Sequence, residues 1–118
     1  MPVESSFLKS LTEGFSRRKT PFLLMSKQLL QEKHAAFARY APRVMTYYSV
    51  KANPAPQLLR EMEKLGLWFE ASSHEELREL RALDISQKRI STSNPVKSNE
   101  FIRYAVKSNV RRYVIDSH

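Results

Sequence analysis

The chain has 118 residues, 20 lysines and arginines against 12 acids, a formal net charge of +8, 42% hydrophobic residues and no cysteine. That length holds one small domain or a piece of a larger one, and the composition is that of a folded chain. The missing cysteines exclude disulfides, thiolate metal sites and cysteine nucleophiles, two glycines exclude a glycine-rich phosphate loop in this stretch, and short apolar runs exclude a membrane-spanning helix.

Met1-Pro2-Val3-Glu4 has an early acid and no apolar segment, so a cytoplasmic protein without a secretory leader is expected. Residues 1–19 read as a first helix or an arm, ending in Arg17-Arg18-Lys19. Thr20-Pro21 breaks helix, and Phe22-Leu23-Leu24-Met25 reads as a buried strand. Ser26 is placed to cap a helix reaching about Ala41, with Leu29, Leu30, Phe37 and Ala41 on its inner face and Pro42 as its stop. Residues 1–42 thus form a lead-in of strand and helix, and 43–118 a separate repeating part.

In that part four strand-like runs, Val44–Val50, Leu67–Ala71, Arg89–Ser93 and Val110–Asp116, alternate with three amphipathic stretches. Pro54-Ala55-Pro56 opens the first helix, Leu58, Leu59, Met62 and Leu65 line its inner face, and Gly66 follows as a C′ glycine. Ser73-His74-Glu75-Glu76 fits a capping box for the second, with Leu77, Leu80 and Leu83 inward. Ser98 caps the third, with Phe101, Ile102, Ala105 and Val106 inward. Polar residues close the strands at Lys51, Glu70, Asn94 and Asp116, spaced 19, 24 and 22 residues apart. Such a repeat predicts parallel strands with right-handed crossovers, in half a (β/α)8 barrel or part of a doubly wound sheet. A whole barrel takes about 250 residues, so the chain reads as truncated after its fourth strand. Open edges and uncovered interior positions such as Val50 and Ile115 are then expected.

Active sites of parallel α/β folds lie at the carboxyl ends of the strands, which directs attention to those four residues. A lysine at Lys51 can snorkel to water, or, desolvated at a barrel mouth, supply a neutral amine for an imine. Glu70 can be a solvated strand-end acid or a partner of Lys51, and Asn94 and Asp116 suit turns. His34, His74 and His118 have no metal-ligand spacing. Trp68 and Phe69 read as core or helix-facing residues. The basic clusters are scattered without interleaved aromatics, which argues against nucleic acid as a partner.

Tyr47-Tyr48-Ser49-Val50-Lys51-Ala52-Asn53-Pro54 closely resembles the cofactor-lysine motif of the fold-type III pyridoxal-phosphate decarboxylases, the ornithine/diaminopimelate/arginine decarboxylase family. Three more segments follow the family pattern in order: Phe69-Glu70-Ala71-Ser72-Ser73 before a Glu-Leu helix start, the turn Asn94-Pro95-Val96-Lys97, and Asp116-Ser117. Thr20-Pro21-Phe22-Leu23-Leu24 resembles the lead-in strand, so the likeness runs from about residue 20 to 118. The Asn-Pro-x-Lys turn favours the ornithine-like branch, and Asn53-Pro54-Ala55-Pro56 departs from the Ala-Tyr-Gly continuation of the alanine racemases.

The resemblance implies the first half of an alanine racemase-like TIM barrel, in a carboxy-lyase acting on ornithine or another basic amino acid in polyamine-type metabolism. It implies pyridoxal 5'-phosphate as cofactor, held by Lys51 as an internal aldimine. Glu70 is implied to be a cofactor-binding acid, one methylene longer than the family's usual aspartate. It also implies a homodimer for the complete enzyme, and little or no activity for these 118 residues alone. The alternative reading is a non-catalytic fragment that binds a partner through its open strand edges.

Overall fold

The computed structural model describes residues 21–116 together with Lys9, Leu11, residues 13–15 and Lys19. The expectations for Arg17, Arg18, Thr20, Ser117 and His118 lie outside the described residues. Lys9, Leu11 and residues 13–15 are helical, in keeping with a first helix.

Phe22-Leu23-Leu24-Met25 is not a strand: among the described residues no ladder partner faces it, and Leu23 is 90% exposed. An apolar run becomes a strand only when a neighbouring strand takes its backbone groups. Helix α1, Lys27–Tyr40, is capped as predicted, the Leu29 N–H donating to Ser26 Oγ at 3.2 Å. Its inner face is narrower than the pattern suggests. Leu30 packs on the core, while Leu29 and Phe37 remain about half exposed. Lys27 and Lys64 both pair with Glu61 (3.0 and 2.9 Å), the first of them pinning α1 to the next helix.

The four predicted strands exist and are shorter: β1 Tyr47–Ser49, β2 Trp68–Glu70, β3 Ile90–Thr92 and β4 Arg112–Tyr113. They form one sheet in sequential order, every pair parallel. Helices α2 Pro56–Lys64, α3 His74–Ala82 and α4 Asn99–Lys107 connect them. Register sorts the two faces. Tyr48, Phe69 and Ile90 lie side by side and belong to the core with Leu58, Leu59, Leu77, Leu80 and Phe101. On the opposite face lie Tyr47 and Trp68, then Ser49, Glu70, Ser91 and Arg112.

The inner faces of α2 and α3 match expectation, with Leu65 and Leu83 packed at the core margin. On α4 only Phe101 and Ala105 are buried; Ile102 and Val106 face outward, since a single helical stripe meets the sheet. Val50, expected to be uncovered, is fully buried because the chain turns into a short 3-10 segment, Val50–Ala52, that tucks it into the core. Ile115 is 80% exposed, as an open fourth strand requires. Among the described residues no helix is long and apolar enough to cross a membrane.

One device ends all three connecting helices. After α2 the Gly66 N–H donates to Glu63 O (2.9 Å) and the Leu67 N–H to Met62 O (3.1 Å), with Gly66 at φ +83°. The same paired bonds close α3 at Asp84 (φ 57°) and α4 at Asn109 (φ 60°). This is the Schellman arrangement, and the buried residue after each turn, Leu67, Ile85 or Val110, anchors the return to the sheet. A Cβ at Gly66 would meet nothing within 4 Å, so only backbone strain opposes it. Gly66→Ala is therefore expected to lower stability by about 1 kcal/mol, read as a lower urea midpoint with unchanged slope.

Candidate active site at the carboxyl end of the sheet

Lys51 lies in the short 3-10 segment just past β1, where the backbone leaves the sheet. Next to it the chain is fastened twice: the Tyr48 hydroxyl donates to Asn53 O (3.1 Å), and Asn53 Oδ1 accepts from the Ala55 N–H (3.0 Å). Burial pushes the Tyr48 hydroxyl above its ordinary 10.0, the bond to Asn53 opposing this in part. The turn holding Lys51 is thus braced from both sides. Lys51 itself is exposed and has no hydrogen-bond or ion-pair partner among the described residues. The expected desolvated mouth is not formed by these four strands, which leave its side chain open to water.

Glu70 ends β2 and is nearly buried, at 9% exposure. It is neither solvated nor paired with Lys51. Its Oε2 accepts from Ser49 Oγ (2.8 Å), and its Oε1 accepts from Ser72 Oγ (2.5 Å) and the Ser93 N–H (3.4 Å). These donors come from the ends of β1, β2 and β3. Burial drives the carboxyl upward, but the bonds from Ser72, Ser93 and Ser49 outweigh it and hold Glu70 below its ordinary 4.5. Its folded-state value is depressed, so its contribution to stability is complete above about pH 4.5 and is lost as pH falls through the folded value. The stability advantage over Glu70→Gln is therefore expected to hold between pH 6 and about 4.5 and to shrink as denaturant midpoints are taken below that.

The capping box of α3 is displaced by one residue. Ser73 Oγ accepts from the Glu76 N–H (3.2 Å), while Glu76 Oε2 reaches the Ser72 N–H (2.9 Å) rather than that of Ser73. Ser72 is thereby held by its backbone as its hydroxyl meets Glu70. Asn94 fixes a turn, accepting from the Val96 N–H at 3.2 Å, and Lys97 crosses to Val114 O at 2.5 Å. Asp116 is exposed beyond β4. His74 packs against Tyr104 and Phe101, with centroids 4.5 and 5.9 Å away.

Phe69 is core, as expected, but Trp68 does not face the connecting helices α2 to α4. It lies on the opposite face beside Tyr47 (5.7 Å) and under the guanidinium of Arg112 (4.2 Å), which also donates to Lys88 O. The structure thus gathers Lys51, Glu70 and the turn of Asn94 at one end of the sheet. The sequence pattern alone assigns no role to Ser49, Ser72 and Ser93. The available signal is that each stands beside a strand-end polar residue, where a hydroxyl can reach a neighbouring strand.

Residues 27–118 match the family described as pyridoxal-dependent decarboxylase, pyridoxal binding domain. The lysine/ornithine decarboxylase of Selenomonas ruminantium is 34% identical over 100 residues, which cover 85% of this chain and 25% of that protein. Human antizyme inhibitor 2 is 31% identical over 114 residues, 93% of this chain and 25% of its own length. Among solved structures, the lysine decarboxylase from Selenomonas ruminantium superposes with a TM-score of 0.85 at 30% identity, covering 100% of this chain and 30% of that one. The chain spans about a quarter of the length of these curated relatives. Its parallel sheet is one half of a (β/α)8 barrel, and the chain belongs to the pyridoxal-dependent decarboxylase family, as part of its pyridoxal-binding domain.

Proposed function

We propose that this chain is the cofactor-anchoring part of a pyridoxal-phosphate carboxy-lyase acting on a basic amino acid of the ornithine or lysine class, with Lys51 as the anchor. The observation that carries the reading is a braced turn presenting an unpartnered primary amine at the carboxyl end of β1, one strand from a nearly buried carboxylate. That donor set fits the group: the amine can condense with an aldehyde, and the carboxylate offers a fixed anion to a cationic nitrogen. Bound in such a site, pyridoxal phosphate supplies an electron sink for the pair left when a carboxylate departs as carbon dioxide.

The residues of this chain have simpler tasks. Lys51 holds the ligand and needs its amine neutral at the moment of attack. Tyr48 and Asn53 keep the turn in place, and Glu70 orients charge. Substrate class follows the relatives, which are named as lysine and ornithine decarboxylases. A homodimer and a cytoplasmic site of action complete the reading for the whole protein.

A second reading is favoured by the human antizyme inhibitor 2, a relative named as an inhibitor. Under it the chain belongs to a non-catalytic protein whose exposed strand edge binds a partner. One experiment separates the two: borohydride reduction of the complete protein in the presence of pyridoxal phosphate, followed by peptide mapping. A reduced label confined to Lys51 is expected. Label on Lys27, Lys64 or Lys97 instead, or none above background, overturns the proposal.

A further inference from the structure

Arg112 stands on the face of the sheet that turns away from helices α2 to α4, in register with Ser91. Its guanidinium lies 4.2 Å over the Trp68 ring and donates to Lys88 O. Trp68 in turn leans on Tyr47 at 5.7 Å. Trp68 opens β2 and Lys88 precedes β3, so the guanidinium reaches back toward the amino end of the sheet, away from the end that carries Lys51. A guanidinium has five N–H donors, and no carboxylate among the described residues pairs with this one. Glu70 is on the same face, but its oxygens are engaged by Ser49, Ser72 and the Ser93 N–H. The other ionisable neighbours are Tyr47, Tyr113, whose hydroxyl donates to Val110 O, and the cations Lys88 and Arg111. In a closed (β/α)8 barrel this face becomes the interior, which is packed mainly with branched aliphatic side chains. A cation there loses its water, and its contact with an indole ring replaces only part of that solvation. A buried guanidinium therefore calls for an anion.

We propose that the strands completing this barrel present a carboxylate to Arg112, so that an interior ion pair joins the two halves at the level of Trp68. The partner is an acid-bearing segment of the same protein outside residues 21–116, and the chain covers only 25% of its Selenomonas relative. The position of the guanidinium favours a side chain over a bound ligand, because ligands of parallel barrels enter at the carboxyl end of the strands. The half barrel carries this inference, which holds whether or not Lys51 is the anchor.

The test uses the complete protein and reads urea midpoints against pH. Arg112→Met keeps the stem of the side chain and removes its charge, which leaves the carboxylate buried and unpaired. Its midpoint is expected to fall well below the parent's at about pH 8, and the gap to shrink at least twofold by about pH 5. The sign follows from the orphaned carboxyl: burial raises its folded-state value, so it takes up a proton as pH falls and no longer needs the guanidinium. Arg112→Lys retains the charge and is expected to lose less than about half as much as Arg112→Met. A gap of the same size at every pH, or no gap, overturns the proposal. So does a gap that appears only when inorganic phosphate is added, since a bound anion then occupies the place. Where Arg112→Met does not fold near neutral pH, a crystal structure of the parent decides. An Asp or Glu oxygen within about 4 Å of the guanidinium supports the ion pair. Water, a bound anion or main-chain carbonyls alone overturn it.

Discussion

With Lys51 as the proposed anchor, Lys51→Arg in the complete protein is expected to reduce the proposed decarboxylation by about a thousandfold or more, as removal of a covalent-catalysis residue does. Arginine keeps the positive charge and most of the length. Its guanidinium stays protonated at any working pH and does not condense with an aldehyde. The substitution therefore separates charge from chemistry. Because Lys51 is exposed and unpartnered, it is expected to leave stability within about 0.5 kcal/mol of the parent. Turnover by carbon dioxide release, the visible absorbance of the loaded protein and a melt together decide the matter. A Lys51→Arg protein with parental turnover and absorbance would remove Lys51 from the site, whatever the motif around it.

The residues explain why some of this was readable in advance and some was not. The four strands and helices α1 to α4 follow from local signals: Pro56 at a helix start, serine caps at positions 26, 73 and 98, and apolar stripes between polar strand ends. The ends of α3 and α4 carry no glycine signal, because Asp84 and Asn109 occupy the left-handed position where glycine is the usual marker. Asp and Asn tolerate that region, and the apolar residue after each was the available clue. Facing was harder. Leu67-Trp68-Phe69 is apolar at every position, so alternation cannot say which ring meets the helices. Phe22 to Met25 shows the limit of propensity, since extended apolar residues need a ladder partner. The site divides in the same way. The strand-end places of Lys51 and Glu70 are legible from the spacing of polar residues. The serine frame depends on the register of Ser49 against Glu70, which no local pattern encodes.

The largest effect on folding is expected at Phe69. It occupies the middle of β2, fully buried, with Tyr48 and Ile90 beside it in register and the buried leucines of α2 and α3 in the same core. Removing a buried aromatic costs about 3–5 kcal/mol, through lost transfer energy and the cavity left behind. Typical domains hold only about 5–15 kcal/mol in total. This chain is expected toward the low end of that range, because Val44, Val96, Val114 and Ile115 remain more than 45% exposed and contribute little burial. Phe69→Ala is therefore expected to leave a substantially unfolded population at 37 °C and to move the urea midpoint far downward. Ile115→Ala is the matched control. It removes an aliphatic side chain that is 80% exposed, and its effect is expected within about 0.5 kcal/mol. Urea titrations followed by far-ultraviolet circular dichroism measure both. Equal midpoints for the two variants would mean that Phe69 does not face the helices, and the division of the sheet into a core face and a site face would have to be reversed.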